Sequence, residues 1–420
     1  MADIRPFPGL RPRPDLVDKV ASPPYDVLSS DEARQIAADN PLSFLRVVKA
    51  EVDLPLDVDV HSDEVYERSA ENFKQLIARG ELVADEQPCL YVYRLRMDDH
   101  VQHGLMVGAS VDEYESGVIK KHELTRRAKE DDRARHVEKL MANAGPVLFT
   151  YRARAEISRR IRDLCRGQHP VYDFIADDGV GHTLWVIDEP ADRDWLVQAF
   201  SEVPALYIAD GHHRSASAYR VRNILRERNP HHRGDEPYNH FLAVLFPDDE
   251  LRIMGYHRVV RDLNGLEPER FFERVGQRFE VEPWREAEPQ APREFTCFLD
   301  GRWYRLRARP GTFDADDPVA ALDASILQQN LLAPILGITD PRSDERIDFV
   351  GGIRGTGELE RRCGNDARVA FALHPVGVEQ LMAIADAGEI MPPKSTWFEP
   401  KLRSGVVVRS LREDPTAIGD

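Results

Sequence analysis

Tyr207-Ile208-Ala209-Asp210-Gly211-His212-His213-Arg214-Ser215 is the stretch on which the reading of this 420-residue chain turns. Residues 205–209 are apolar and β-prone, while 215–228 place Ala216, Ala218, Tyr219, Val221, Ile224 and Leu225 at helical spacing. The order is strand, glycine turn, helix. A helix that opens on such a turn presents backbone N–H groups without helical partners and the positive end of its dipole, which together suit a phosphate. His212, His213, Arg214 and Ser215 add side-chain donors where an oxyanion would lie. A guanidinium grips phosphate through a planar fork, and an imidazole donates a hydrogen bond or moves a proton. Asp210 stands where it can orient a histidine or hold a metal that bridges phosphates. The plainer alternative is a capped surface helix with solvated histidines; the preceding strand and the Asp-Gly pair favour a site.

Outward from this turn the chain reads as mixed α+β. The first 28 residues are Pro-rich yet carry Phe7, Leu10, Val20, Tyr25 and Val27, so an extended segment packed along a surface is expected. Helices are expected at 31–38, with Ser29 or Ser30 as N-cap, and at 63–79, ended by Gly80. A strand is expected at 44–49, and a hairpin from 90–97 and 105–114 around Asp98-Asp99-His100. Strands at 147–151, 171–176, 182–187, 241–246 and 251–256 alternate with helices at 155–166, 192–200 and 268–279. A hairpin at Asp300-Gly301, a long helix at 319–336 and a strand-helix pair at 369–373 and 378–387 complete the pattern. The expected division is an N-terminal body, 1–264, carrying the phosphate-binding core, and a C-terminal α+β region, 265–420, with 391–401 a candidate to return to the site.

Two further clusters carry chemistry. Lys120-Lys121-His122-Glu123-Leu124-Thr125-Arg126-Arg127 runs on to Asp131-Asp132-Arg133, and Arg126 stands where a zinc-protease helix needs its second histidine. What remains is a carboxylate beside an imidazole and several cations, suited to deprotonating a hydroxyl near a polyphosphate; a solvated charged helix is the competing reading. Met391-Pro392-Pro393-Lys394-Ser395-Thr396-Trp397-Phe398 fixes three anion-friendly groups between prolines and aromatics, where Lys394 would neutralise a phosphate or a substrate carboxylate; aromatic packing alone would also account for it. In Pro23-Pro24-Tyr25-Asp26, Asp26 is a candidate metal or substrate ligand and Tyr25 reads first as a packing residue.

Asp210-Gly211-His212-His213-Arg214 resembles the signature loop of the ParB/sulfiredoxin-like superfamily, above all its free-serine kinase branch. Along nearly its whole length the chain is also similar to a bacterial and archaeal domain-of-unknown-function family. That similarity rests on Pro6-Phe7-Pro8-Gly9-Leu10-Arg11-Pro12, Pro23 to Val27, Asn40-Pro41 with Ser43-Phe44, His122-Glu123 with Thr125, Asp131-Asp132-Arg133 and Met391 to Phe398. The resemblance implies an α+β fold with mixed sheets, flanking helices and a ParB/sulfiredoxin-like core. It also implies a loop that contacts nucleotide phosphates and a glutamate base on a segment before the loop. Glu123 is the candidate for that base, with Glu115 left open.

Together these readings make phosphoryl transfer the expected function. The phosphate-binding set is Asp210, Gly211, His212, Arg214, Ser215, Lys394, Ser395 and Thr396, and the catalytic set is Glu123, His122 and His213. Tyr25, Asp26, Arg126 and Arg133 are expected at the substrate, and Asp210 or Asp26 at a magnesium ion. ATP, ADP and pyrophosphate all stay open as donors, since no Gly-x-x-x-x-Gly-Lys-[Ser/Thr] loop is present; the acceptor is a small hydroxyl compound such as L-serine. The alternative is a sensor that binds a nucleotide or phosphometabolite without turning it over.

Composition narrows the field. Lys and Arg number 56 against 73 Asp and Glu, for a formal net charge of −17, which disfavours a nucleic-acid surface. The most basic stretch, 220–233, is interrupted by Glu227 and lacks a partner helix for a DNA-reading motif. Cys89, Cys165, Cys297 and Cys363 form no Cys-x-x-Cys pair and are expected to be reduced and structural. No run approaches the roughly 20 apolar residues of a membrane span, and the start of the chain lacks a secretory apolar region, so a cytoplasmic location is expected.

Overall fold

The computed structural model describes residues 1–417, whose backbone divides into two units. The first comprises Met1–Leu251 together with the residues from Pro400 onward, and the second comprises Arg252–Glu399. The division falls before 264 because Tyr256–Val260 pairs with Ile347–Gly351 and Val369–Leu373, which makes it a strand of the second unit.

The first unit is built on a nine-stranded mixed sheet. Its path runs Ile119–Lys120, Leu206–Asp210, Val147–Tyr151, His240–Pro247, His100–Ser110, Leu90–Met97, Gly181–Ile187 and Tyr172–Ile175, and Ile4–Arg5 pairs beside His100–Ser110. Strands covered on both faces read as continuous apolar runs, and Leu206, Tyr207, Ile208 and Ala209 are all buried in this way. Ile157 and Ile161 from helix Ala155–Gly167, with Leu196 and Phe200 from Pro190–Phe200, join the sheet in the main core. A smaller sheet orders Leu82–Ala84, Gly9–Pro12, Val408–Ser410 and Ala142–Asn143, so the Pro-rich start is extended and paired at Ile4–Arg5 and Gly9–Pro12, while Val17–Val20 and Tyr25–Val27 turn into short helices.

Local chemistry explains most boundaries. Ser29 caps helix Ser30–Ala37 through a reciprocal box, its hydroxyl accepting from the Glu32 N–H at 3.2 Å while the Glu32 carboxylate accepts from the Ser29 N–H at 2.8 Å. The hairpin closes with Met97 opposite His100, a two-residue turn through Asp98 at φ +53°. Its second strand therefore starts earlier than expected, and Val111–Ser116 is a helix. Two expectations are corrected. The 44–49 segment is helical at Leu45–Val48; a run as short as Phe44-Leu45-Arg46-Val47-Val48, buried except at Arg46, has no period that distinguishes strand from helix. The long helix at 319–336 is only the short helix Asp323–Leu327 followed by a π-type turn, Gln328–Leu332. Asp317 accepts from the Val319 and Ala320 N–H groups and holds that entry in a turn.

The second unit is a six-stranded antiparallel sheet in the order Phe279–Trp284, Arg302–Ala308, Glu294–Leu299, Val369–Leu373, Tyr256–Val260 and Ile347–Gly351. Phe271, Val275, Phe295, Leu306 and Phe371 share its core. A separate pair joins Arg252–Met254 to Trp397–Glu399. No helix among the described residues is long and apolar enough to cross a membrane.

Candidate functional site

The geometry begins with strand Leu206–Asp210, which has a parallel neighbour on one side and an antiparallel one on the other. Leu206 lies opposite Ile119, so the chain leaving Ile119–Lys120 runs on beside the carboxyl end of the strand and brings His122 and Glu123 there. Asp210 lies opposite Leu148, so the residues just before strand Val147–Tyr151 reach the same end from the other side. Gly211 turns the chain at φ +102° into helix His212–Arg228, whose first helical bond joins the Ser215 N–H to the Gly211 carbonyl. The amides of His212, His213 and Arg214 are therefore left at the helix mouth without helical acceptors.

Gly211 meets two demands at once, because an added Cβ would face the positive φ and lie 3.1 Å from Val147 Cγ1. Left-handed backbone costs a residue with a side chain roughly 1–2 kcal/mol. Gly211→Ala is expected to lose about that much stability in urea unfolding; an unchanged midpoint would show that the turn relaxes freely.

On the His122 side, the His122 N–H donates to His212 Nε2 at 3.4 Å, which places the His212 proton on Nδ1. That nitrogen lies 3.8 Å from Glu123 Oε2. The two imidazoles meet edge to face at 4.4 Å. His212 is only 5% exposed, and burial, with His122 alongside, pushes it well below the usual imidazole range. It is neutral. The Glu123 side chain is 37% exposed and so can reach both His212 and solvent. His122 does not suit a proton carrier: its ring is buried, burial pushes it down to about 4, and its Nδ1 finds no partner among the described residues. His213 accepts the Arg126 N–H on Nε2 at 3.1 Å, so it anchors the 121–126 segment rather than presenting that nitrogen to a ligand. Glu115, the other carboxylate considered, binds Arg222 at 2.8 Å and the Tyr219 hydroxyl at 2.9 Å.

On the opposite side, Arg214 donates to the Pro146 carbonyl and to Asp26 Oδ2, the latter at 2.8 Å. Its guanidinium lies 5.6 Å from the Tyr25 ring centre, and that of Arg133 lies 4.2 Å from the same ring. Ser215 is fully buried and its hydroxyl donates to its own turn, at the Gly211 carbonyl, so its expected phosphate contact is not supported by the geometry. Arg126 is exposed, and its backbone N–H is held by His213.

Lys401, the end of the 391–401 segment expected to return to the site, is the residue that sequence reasoning did not single out. It belongs to the first unit and places Nζ 3.1 Å from Asp210 Oδ2. The available signal was a second Pro-Lys pair, Pro400-Lys401, seven residues beyond Pro393-Lys394. Lys394, Ser395 and Thr396 lie in the second unit; there Lys394 stands 5.6 Å from the Tyr256 ring centre and the Ser395 hydroxyl donates to the Pro392 carbonyl at 2.7 Å.

Burial alone would raise the Asp210 carboxyl, but Lys401 and Arg214 outweigh it and hold the group below the usual carboxylate range. A depressed folded-state pKa adds stability above the unfolded value of about 3.9 and loses it as pH falls through the folded value. Lys401→Met is therefore expected to lose less stability than the parent on acidification from pH 7 to below 4. Parallel urea titrations check this, and equal acid sensitivity would remove the coupling.

A resident metal finds little here. Asp26 and Asp210 each already contact a cation of the chain, and no group of three or more His, Cys, Asp or Glu among the described residues converges to hold an ion. The residues do not form a protein-built magnesium site.

Fold and site together define a two-unit α+β protein with a strand-glycine-helix turn and a carboxylate–imidazole pair beside it. The chain belongs to the family described as Protein of unknown function (DUF1015), which matches residues 4–325. Comparison with curated proteins gives no match. Among solved structures, the chain is similar to SbnI with C-terminal truncation from Staphylococcus aureus at 14% identity and TM-score 0.38, over 74% of this chain and 90% of that one. It is similar to a free serine kinase in complex with AMP at 13% identity and TM-score 0.35, over 70% and 86%. A conserved hypothetical protein from Pyrococcus furiosus matches at 13% identity and TM-score 0.34, over 70% and 90%. These likenesses are distant.

Proposed function

We propose that the chain is a phosphoryl-transfer enzyme that moves a phosphate from a nucleotide or pyrophosphate to the hydroxyl of a small molecule, in the manner of a free L-serine kinase. The observation that carries this reading is Glu123 Oε2 at 3.8 Å from the Nδ1 of a neutral His212, on the turn whose free amides and Arg214 suit an anion. A base beside an anion cradle is what transfer to a hydroxyl needs, since the protein's contribution is mostly positioning and charge stabilisation.

In this reading the amides of His212 to Arg214 and the Arg214 guanidinium hold the donor phosphates, and Lys401 adds a cation to the same end. Glu123 takes the acceptor proton as the hydroxyl oxygen bonds to the terminal phosphorus. The bridging P–O bond breaks, and the shortened donor leaves with the electron pair. His212, fixed by the His122 N–H, orients the Glu123 carboxylate. Magnesium enters as the companion of the polyphosphate, which is how that ion is commonly held.

Phosphorus NMR of the full chain with magnesium and L-serine, offered ATP, ADP and pyrophosphate separately, tests the reading. A new phosphomonoester resonance that grows as one donor declines is expected. Donors that remain intact with L-serine and with other small hydroxyl compounds would leave a binding protein instead.

A further inference from the structure

Burial does not hold Glu123 in place. The chain at 121–126 is neither helix nor strand, the Glu123 side chain is 37% exposed, and Leu124 beside it is 64% exposed. The fixed points of the segment lie on its flanks. Before the carboxylate, the His122 N–H donates to His212 Nε2; after it, the Arg126 N–H donates to His213 Nε2. A ring nitrogen that accepts is unprotonated, so the tandem histidines serve here as neutral acceptors for two backbone amides that bracket Glu123. Burial pushes both rings below the usual imidazole range, which keeps them in that form.

A third bond closes the far side. The Thr125 hydroxyl donates to Glu130 Oε1, across the junction where the segment enters helix Arg127–Leu140. Glu130 is in turn tied to helix His212–Arg228, which carries the two histidines, because its Oε2 lies 3.6 Å from Arg220 Nη1. The hydroxyl of the buried Ser217, on the same helix, is shared between the Glu130 carbonyl at 3.2 Å and the His213 carbonyl at 2.6 Å. The bonds at His122, Thr125 and Arg126 all lie within three residues of Glu123, and they fasten it to the two helices that frame the turn.

We infer that Thr125 and Glu130 are positioning residues for Glu123: with the two histidines they clasp the chain on both sides of the carboxylate and hold it at the turn. The Thr125 hydroxyl is engaged by Glu130, and Glu130 by Thr125 and Arg220, so they act through Glu123 rather than on the donor or the acceptor. A misplacement of about 1 Å can cost about 100-fold in rate, so a clasp matters most at a carboxylate that burial does not fix. The competing account is a helix cap, since Thr125 and Glu130 flank the start of Arg127–Leu140, and a cap would affect stability alone. The inference rests on the phosphoryl-transfer reading and supplies what keeps its base in register.

Transfer by the full chain to L-serine, with magnesium and ATP, ADP or pyrophosphate, is compared in Thr125→Val, which keeps the shape and loses the hydroxyl, and Thr125→Ser, which keeps the hydroxyl. Thr125→Val is expected to lower kcat by about 10- to 100-fold with donor KM within about twofold of the parent, and Thr125→Ser to recover most of the loss. Hydrogen exchange read by mass spectrometry follows the clasp without any turnover. Residues 121–126 should exchange about tenfold faster in Thr125→Val, while 131–140 and 216–228 keep the parent rate, and serine should restore protection. Parent kcat in Thr125→Val with a lowered melting temperature means a cap and overturns the inference. Unchanged exchange at 121–126, or a serine variant as impaired as the valine one, overturns it as well. Faster local exchange in a chain that transfers phosphate from no donor supports the clasp while sinking the enzyme reading.

Discussion

Glu123→Gln is expected to lower turnover by about 10²–10⁴-fold, the usual contribution of a positioned general base, while donor affinity stays within about twofold of the parent. The substitution suits the question because glutamine keeps the length of the side chain and an oxygen for the His212 Nδ1–H, yet takes no proton near neutrality. His212 remains tied to the His122 N–H, so the turn itself has no reason to move. Glu115→Gln is the control. It breaks an ion pair with Arg222, which is only 3% exposed, and should lower the melting temperature with little effect on kcat. Normal turnover in Glu123→Gln would exclude it as the base. Loss of donor binding along with turnover would recast the Glu123–His212 pair as part of the cradle.

What the sequence revealed follows from where each signal resides. Strand Leu206–Asp210 and helix His212–Arg228 were legible because a short apolar run, a glycine and a helical stripe are local patterns, each readable from its neighbours. The association of His122 and Glu123 with that turn depends on a parallel pairing between Ile119–Lys120 and Leu206–Tyr207, more than 80 residues apart, and no periodicity announces it. Which of the candidate groups face solvent was equally hidden. Ser215 and His122 have the right chemistry for a site, and only the packed fold shows that one bonds its own turn and the other is sealed under His212. Lys401 was missed for a related reason: its partner Asp210 is distant in sequence, and the preceding Lys394 block drew attention through its aromatics. The misread segments fail for different reasons: Phe44, Leu45, Val47 and Val48 are buried in a run too short to show a period, whereas the helical spacing across 319–336 does not show that Asp317 holds its start in a turn.

Arg214→Ala and Asp26→Asn are expected to move donor affinity in opposite directions. A charge-assisted hydrogen bond contributes about 1.5–3 kcal/mol, so loss of the Arg214 fork should weaken nucleotide or pyrophosphate binding by roughly 10- to 150-fold. The fold should survive with some loss of stability, because Asp26 is exposed and rehydrates while the Pro146 carbonyl loses its donor. Asp26 occupies an Nη donor of the same guanidinium at 2.8 Å and carries a negative charge toward any incoming phosphate. Replacing it with asparagine removes that competition and should tighten donor binding by a few fold, with a steeper loss of affinity as salt rises, since the remaining cations then act unopposed. Calorimetry on the two variants at two ionic strengths reads both effects. If Asp26→Asn instead abolishes turnover with unchanged donor affinity, the proton acceptor is Asp26, and Glu123 keeps only an electrostatic role beside His212. If both variants bind as the parent does, the donor phosphates do not lie at Arg214, and the cradle is reduced to the amides of the turn and Lys401.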